Sequence, residues 1–472
     1  RVFAGKEVEA GAVVNTSIVW ESRVQRSLFS PSGVTGLANV DLTPELSARL
    51  AMAFASTMKI GDTVAVSRDT SRSARMLKRA AMAGLNAAGI NVLDLEARSV
   101  PVTRQVTASP GARAGMTFRL DPDDPDRAII RFFDGDGLDL DANTQRKVER
   151  VLQRQDFRRA LASEVGDITV PSHALERYSL ALTGIVNLAE IRERSFKVVV
   201  DYSHGSMAGV LPDVLGKLGA DILGVNPYAS TPGVIEHDID AQASQVADLV
   251  RTSGADLGIV IDPTGERARF IDDDGVVVDD VTAALCFLSL LRDTGPFTAV
   301  LPVNAPAIAT ALVTSVGGEV VAAPLATSAV QRLGVDEAAG IALNFEGGYM
   351  FPGFLPAYDA AGAFVVVLQL LARTRRRLSD VVDYLPEVHL ALDTVPTPWD
   401  SKGQVMRQLI EKSSGRTQVL LDGVKLVLDD GWVLCLPDPD EPLTRIWAEA
   451  ASDRAARSLV EEYGRRIRQL AR

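Results

Sequence analysis

The sequence predicts an α/β protein: three consecutive α/β units, then a small C-terminal α+β domain, the whole preceded by the end of a left-handed hexapeptide β-helix. Three observations predict it. β-Branched strands alternate with capped helices from about Thr43 to Pro386, a hairpin pattern turning at Asp429-Asp430-Gly431 follows, and the first thirty residues repeat with a period of six. Buried strands of that composition, alternating with helices, imply mostly parallel sheets covered on both faces.

In residues 1–30, Val2, Val8 and Val14 share one register and Ala12, Ile18 and Val24 another, with Gly5 and Gly11 at turns. Every sixth side chain of such a coil points into a narrow core. About one and a half coils are present, short of the roughly three that such a stack needs, so the remainder is expected before Arg1. Residues 31–170 form the first unit: Thr43-Pro44-Glu45 opens a helix through Phe54 with a capping residue and a first-turn proline. Thr63–Val66 is a strand, Met76–Ala88 a helix closed by Gly89, and Asn91–Leu95 the next strand.

The second unit, 171–278, has strands at Phe196–Asp201, Asp221–Val225 and Asp256–Ile261, with helices over Val210–Leu218 and Ala241–Thr252. The third, 279–390, runs from strand Thr298–Val303 through helix Ala305–Ser315 and strand Glu319–Ala322 directly to strand Ile341–Phe345, then helix Asp359–Arg373. In 391–472, Lys425–Leu428 and Trp432–Cys435 make a hairpin, Thr444–Ala450 adds a strand, and Ser452–Leu470 is an arginine-rich helix.

Composition narrows function. A chain of 472 residues exceeds a single small binding module, and a formal net charge of −12 argues against a general nucleic-acid binder, whose footprint is basic. Cys286 and Cys435 have no metal-ligand spacing and read as buried thiols in a reducing compartment, so a cytoplasmic location is expected. The longest apolar helical stretch, Ala360–Ala372, is too short for a bilayer, which needs about 20 residues. His204 follows a strand end but reads as a loop residue without an evident partner. The arginines at 373, 375, 376 and 377 read as the end of a helix, complementing its dipole.

Four segments point to a family: Ser67-Arg68-Asp69-Thr70-Ser71-Arg72-Ser73, Gly254-Ala255-Asp256-Leu257-Gly258-Ile259, Gly347-Gly348-Tyr349-Met350-Phe351-Pro352, and Glu441-Pro442-Leu443-Thr444-Arg445 running on to Ala450. With the order of units, they make roughly residues 33–472 resemble the α-D-phosphohexomutase superfamily of phosphomannomutases and phosphoglucomutases. The resemblance implies a phosphoserine loop, a three-aspartate metal loop, a sugar-reading loop and a distal phosphate loop. Each departs here. The serine position falls at or beside Asp121. The metal loop keeps Asp262 and Glu266 but has Pro263 and Thr264 between them, so Mg2+ is expected to bind weakly or not at all. The sugar loop offers Asn344 and Glu346, with Arg267 nearby from the metal loop, as substrate-binding candidates. The segment Leu436–Pro442 lacks arginine, serine, threonine and glycine and carries Asp438 and Asp440, so no phosphate-binding residue is expected there.

These joint departures lead to the expectation of a catalytically silent mutase-like region. The β-helix end and Phe351–Ala360 resemble the C-terminal part of a mannose-1-phosphate guanylyltransferase-type sugar nucleotidyltransferase. The region would then regulate or scaffold a nucleotidyltransferase domain preceding Arg1, with a sugar phosphate or nucleotide sugar as ligand and a homo-oligomer as its state. Two alternatives stand: an active mutase interconverting hexose 1- and 6-phosphates, using Asp121 or a metal held by Asp262 and Glu266, and an assembly domain with no sugar ligand.

Overall fold

The computed structural model describes residues 28–227, 237–439 and 441–471. The β-helix expectation lies outside the described residues except for Leu28–Ser30, which pack on the first α/β unit instead. Glu149 accepts the Leu28 N–H at 2.8 Å, and the Phe29 ring meets Phe132 edge-on at 5.4 Å.

The first sheet contains β1 (Val34–Leu37), β2 (Thr63–Arg68), β3 (Asn91–Ala97), β4 (Ala114–Leu120), β5 (Arg127–Phe133) and β6 (Ile168–Thr169), in the order β1-β5-β4-β2-β3-β6. Strands β2, β3, β4 and β6 are parallel, whereas β5 runs antiparallel to both β4 and β1. The turn between β4 and β5 is too short for a parallel crossover, which takes a dozen or more residues, so β5 is the antiparallel exception in a mostly parallel sheet. Helix Pro44–Ala55 is capped by Thr43, which accepts the Leu46 N–H at 3.3 Å; helix Arg72–Ala87 is capped by Ser71. The two helices pack closely enough that a Cβ on Gly84 would lie 2.3 Å from the Ala48 carbonyl oxygen.

The second sheet has β7 (Lys197–Asp201), β8 (Asp221–Val225), β9 (Leu257–Ile261) and β10 (Ala268–Ile271), in the order β10-β9-β7-β8. The third has β11 (Thr298–Pro302), β12 (Glu319–Ala323), β13 (Ile341–Leu343) and β14 (Tyr349–Met350), in the order β12-β11-β13-β14. A helix absent from the sequence reading, Thr327–Asp336, joins β12 to β13. Its N-cap is Ala326, which cannot signal a start, and it contains Gly334, a poor helix former, where it lies against the Met350 side chain. Apolar packing runs continuously between these two units: the Phe287 ring lies 5.7 Å from Phe270 and 4.4 Å from Tyr349.

The fourth sheet is antiparallel throughout: β15 (His389–Pro396), β19 (Leu443–Ala450), β18 (Gly431–Pro437), β17 (Val424–Leu428) and β16 (Gln418–Val419), in that spatial order. Helix Asp453–Leu470 packs on its β15 and β19 edge through Val460, Tyr463 and Ile467. The sheet docks on the third unit: Lys425 donates to the Val303 carbonyl at 2.7 Å and Glu449 accepts the Ala307 N–H at 2.9 Å. Cys286 and Cys435 are buried free thiols, each with a pKa pushed to about 12 by burial. Among the described residues no helix is long and apolar enough to cross a membrane.

Candidate active site

The loops at the C-terminal ends of β2, β4, β7 and β9 converge on one cleft between the first two units, the strand ends where α/β sheets place ligands. Its walls come from Asp69–Ser71, Arg119–Pro122, Ser203–Ser206 with His237, and Pro263–Thr264. Asp69 builds the first corner. Its Oδ1 accepts the Ser71 N–H at 2.8 Å and its Oδ2 the Leu120 N–H at 2.7 Å, which pins the β2 loop to the end of β4.

Asp121 stands immediately beyond β4, half-buried in this wall. Its N–H donates to the Arg127 carbonyl at 3.0 Å and its Oδ1 accepts the Asp123 N–H at 3.1 Å. Burial pushes its pKa up; the Asp123 N–H opposes this, the Asp123 charge adds to it, and Arg127 pulls back. Asp123, Asp124 and Asp126 are themselves exposed, so solvent screens their repulsion of an anion in the cleft. Two residues before Asp121, the buried Arg119 also lines the cleft.

On the opposite wall Ser203 and His204 are both left-handed, with φ of 45° and 55°. Two consecutive non-glycine residues in this region are costly and need outside support. Asp201 supplies it, accepting the Ser203 N–H at 2.7 Å and the Asn226 amide at 3.0 Å, while the Asn226 carbonyl accepts the His204 N–H at 3.1 Å. His204 is therefore a loop residue, held in a supported turn, that also lines the cleft. Near it, His237 has a buried Nδ1 with no hydrogen-bond partner. Burial holds its pKa below the ordinary imidazole value, Asp262 acts to raise it and His204 to lower it, so the ring is neutral at pH 7.

The donor set of the β9 loop does not fit a divalent cation. Asp262 Oδ1 accepts the N–H groups of Glu266 and Arg267 at 2.8 and 2.9 Å, and Oδ2 accepts the Thr264 hydroxyl at 2.5 Å. Glu266 is turned away into an ion pair with Arg131 on β5, with Arg104 Nη2 3.6 Å from its Oε1. Arg104 in turn pairs with Asp139 at 2.9 Å and its guanidinium lies 4.1 Å from the Phe133 ring centre. Burial alone would raise the pKa of Asp139, but Arg104 and Arg131 hold it below the usual carboxylate range. Among the described residues no three His, Cys, Asp or Glu side chains are grouped to hold a metal. Asp262 and Glu266 are brought close, but as a loop anchor and an interdomain ion-pair partner.

The sugar-loop candidates lie beside the metal loop. Gly347 accepts the Ala268 N–H at 2.9 Å, and Arg267 bridges Gly348. Asn344 Oδ1 accepts the N–H groups of Glu346 and Gly348 at 3.0 and 2.8 Å, so this residue shapes the loop, while Glu346 and Arg267 are exposed. None of the three lines the cleft that holds Asp121. In the fourth unit the buried Asp438 carboxylate accepts the Glu441 N–H at 2.9 Å and Arg445 Nε at 2.7 Å, the donors an external anion would use. Sequence reasoning missed Arg104, Arg119, Arg131 and Asp139 altogether. The available signal was a charged residue inside an apolar strand, as in Met116-Thr117-Phe118-Arg119-Leu120.

Residues 26–159 match the family model for phosphoglucomutase/phosphomannomutase alpha/beta/alpha domain I, and residues 176–275 match the model for domain II. These matches support the phosphohexomutase superfamily for this chain. It is 29% identical over 443 residues to a phosphoglucomutase/phosphomannomutase of Thermococcus kodakarensis, covering 92% of this chain and 97% of that one. A probable phosphoglucosamine mutase of Methanopyrus kandleri is also 29% identical, over 92% of this chain and 96% of its own. Among solved structures, a phosphoglucomutase/phosphomannomutase family protein of Burkholderia thailandensis superposes with a TM-score of 0.81 at 19% identity, over 95% of this chain and 98% of that one. These matches correct one expectation. The relatives that align with this chain nearly end to end are named as mutases themselves, which overturns the reading of a silent regulatory region of a nucleotidyltransferase. They support the phosphohexomutase part of the resemblance and not its attachment to a guanylyltransferase.

Proposed function

We propose that the chain is a phosphohexomutase, transferring a phosphoryl group between the 1- and 6-oxygens of a hexose phosphate, with Asp121 as the covalent acceptor. The observation that carries this reading is the position of Asp121: a half-buried carboxylate immediately beyond β4, in the wall of the cleft between the first two units. A carboxylate is a competent phosphoryl acceptor and, unlike a serine, needs no base to activate it. The names of the relatives, which span hexose, glucosamine and pentose phosphates, support a phosphosugar as substrate.

In the forward half-reaction, phosphorylated Asp121 gives its phosphoryl group to a hydroxyl of the hexose phosphate. The sugar O–P bond forms, the acyl P–O bond breaks, the Asp121 carboxylate is regenerated and the hydroxyl proton passes to neutral His237. The resulting 1,6-bisphosphate reverses in the cleft. Asp121 attacks its other phosphorus, and the departing sugar oxygen recovers the proton from His237. A hexose 1,6-bisphosphate supplies the first phosphoryl group.

The test is a coupled assay with glucose, mannose and glucosamine 1-phosphates, primed with the matching 1,6-bisphosphate. Turnover of at least one, lowered on the order of 10³-fold or more by Asp121→Asn, is the expected result. Absence of turnover with every sugar, or full activity in Asp121→Asn, contradicts the reading.

A further inference from the structure

The superfamily implies a divalent cation beside the transferred phosphoryl group, yet the oxygens of Asp262 and Glu266 are committed elsewhere, so something else must balance the phosphate charge. We propose that the guanidinium of Arg119 is the built-in cation of this cleft, and that phosphate binding and transfer here are independent of divalent metal. The inference rests on the phosphohexomutase reading for the chemistry it serves, but the missing metal site is a separate, directly measurable property.

Geometry carries it. Arg119 lies on β4 and Asp121 immediately beyond its end, and both line the cleft. Arg119 is buried and held in place: its Nε donates to the Thr117 hydroxyl at 3.2 Å and its Nη2 to the Arg98 carbonyl. Among the described residues no hydrogen bond engages its Nη1, the nitrogen left for an oxyanion. Burial lowers its pKa; Asp69, Glu266 and Asp262 act against this without cancelling it, and Arg131 adds to the lowering. Asp262 opens the loop that would ligate a metal, so the guanidinium lies in the field of the carboxylate that would otherwise face the ion. A second cation at that point would be repelled by the first. A planar guanidinium also matches phosphate geometry, and it neither gives nor takes a proton during transfer.

Two measurements on the whole chain test this. Mn2+ titration followed by electron paramagnetic resonance should show no stoichiometric site; one bound Mn2+ that disappears in Asp262→Asn overturns the proposal, whether or not the protein turns over a sugar. Calorimetry with inorganic phosphate and glucose 1-phosphate should give the same Kd in EDTA as in Mg2+. Arg119→Met should weaken binding tenfold or more, and Arg119→Lys should recover part of that loss while keeping the charge and the fold. Binding that needs Mg2+, or is unchanged in a folded Arg119→Met protein, overturns it. If phosphate binds without metal but no sugar is isomerised, the proposed reaction fails and the metal-independent site stands.

Discussion

Arg131 on β5 of the first unit and Glu266 beyond β9 of the second form an ion pair across the boundary between the two units, and Arg104 stands 3.6 Å from the same carboxylate. The third position of a metal loop has thus become the second-unit anion of a buried cluster completed by Asp139. Removing one member of such a cluster leaves its partners charged and unpaired, which costs about 3–5 kcal/mol. Glu266→Ala is expected to lose stability on that scale in urea unfolding. The wild-type midpoint should not move on adding EDTA.

Asp359 couples the second and third units. It caps helix Ala360–Thr374 by accepting the Ala361 and Gly362 N–H groups at 3.0 Å, and it accepts the Tyr178 hydroxyl at 2.7 Å. Asp359→Ala removes a cap and leaves a buried hydroxyl without its partner, a combined loss of about 2–4 kcal/mol by calorimetric unfolding.

The same carboxyl makes stability depend on pH. Burial raises its pKa to about 6, against the Tyr178 and backbone donors. With a folded pKa above the unfolded value of about 3.9, the native state binds more protons between them. Its contribution to stability is therefore greatest below pH 4 and declines as pH rises toward 6. Asp359→Asn keeps the cap and fixes the neutral form. Urea midpoints across that range should show a flatter profile for the variant, with its advantage largest above pH 6.

His237 should set the acid limb of turnover. Its pKa lies below the ordinary imidazole value because burial disfavours the charged ring. The pH profile of kcat/KM should rise at acidic pH and be level by pH 7. His237→Gln should lower the plateau by about 10²-fold and abolish the limb; a variant that keeps the limb places the proton transfer on another group.

The order of strands and helices was legible because each unit repeats buried β-branched strands with capped helices, as Thr43 illustrates, although the second helix starts at Arg72 after a Ser71 cap and not at Met76. Helix Thr327–Asp336 was not, since Ala326 offers no cap and packing against β11, β12 and β13 stabilises it instead. At the site, Asp121 and Asp262 were singled out from the loops that the family resemblance implies. Arg119, Arg131, Arg104 and His237 were not, because their roles arise from contacts between units. Reading each loop against the family pattern counted the lost donors and could not register the arginines that β4, β5 and helix Val100–Thr107 bring to the same place. The fourth unit shows the reverse. The acidic Asp438 looked hostile to phosphate, and it proves to be an internal anion already satisfied by Arg445.

The covalent role of Asp121 is tested most directly by intact-protein mass spectrometry after brief incubation with glucose 1,6-bisphosphate or mannose 1,6-bisphosphate in EDTA. The account predicts the added mass of one phosphoryl group, released by hydroxylamine as an acyl phosphate, mapped to Asp121 and absent from Asp121→Asn. An unmodified protein with both bisphosphates, or a hydroxylamine-resistant phosphate on Ser203 or Ser206, contradicts it.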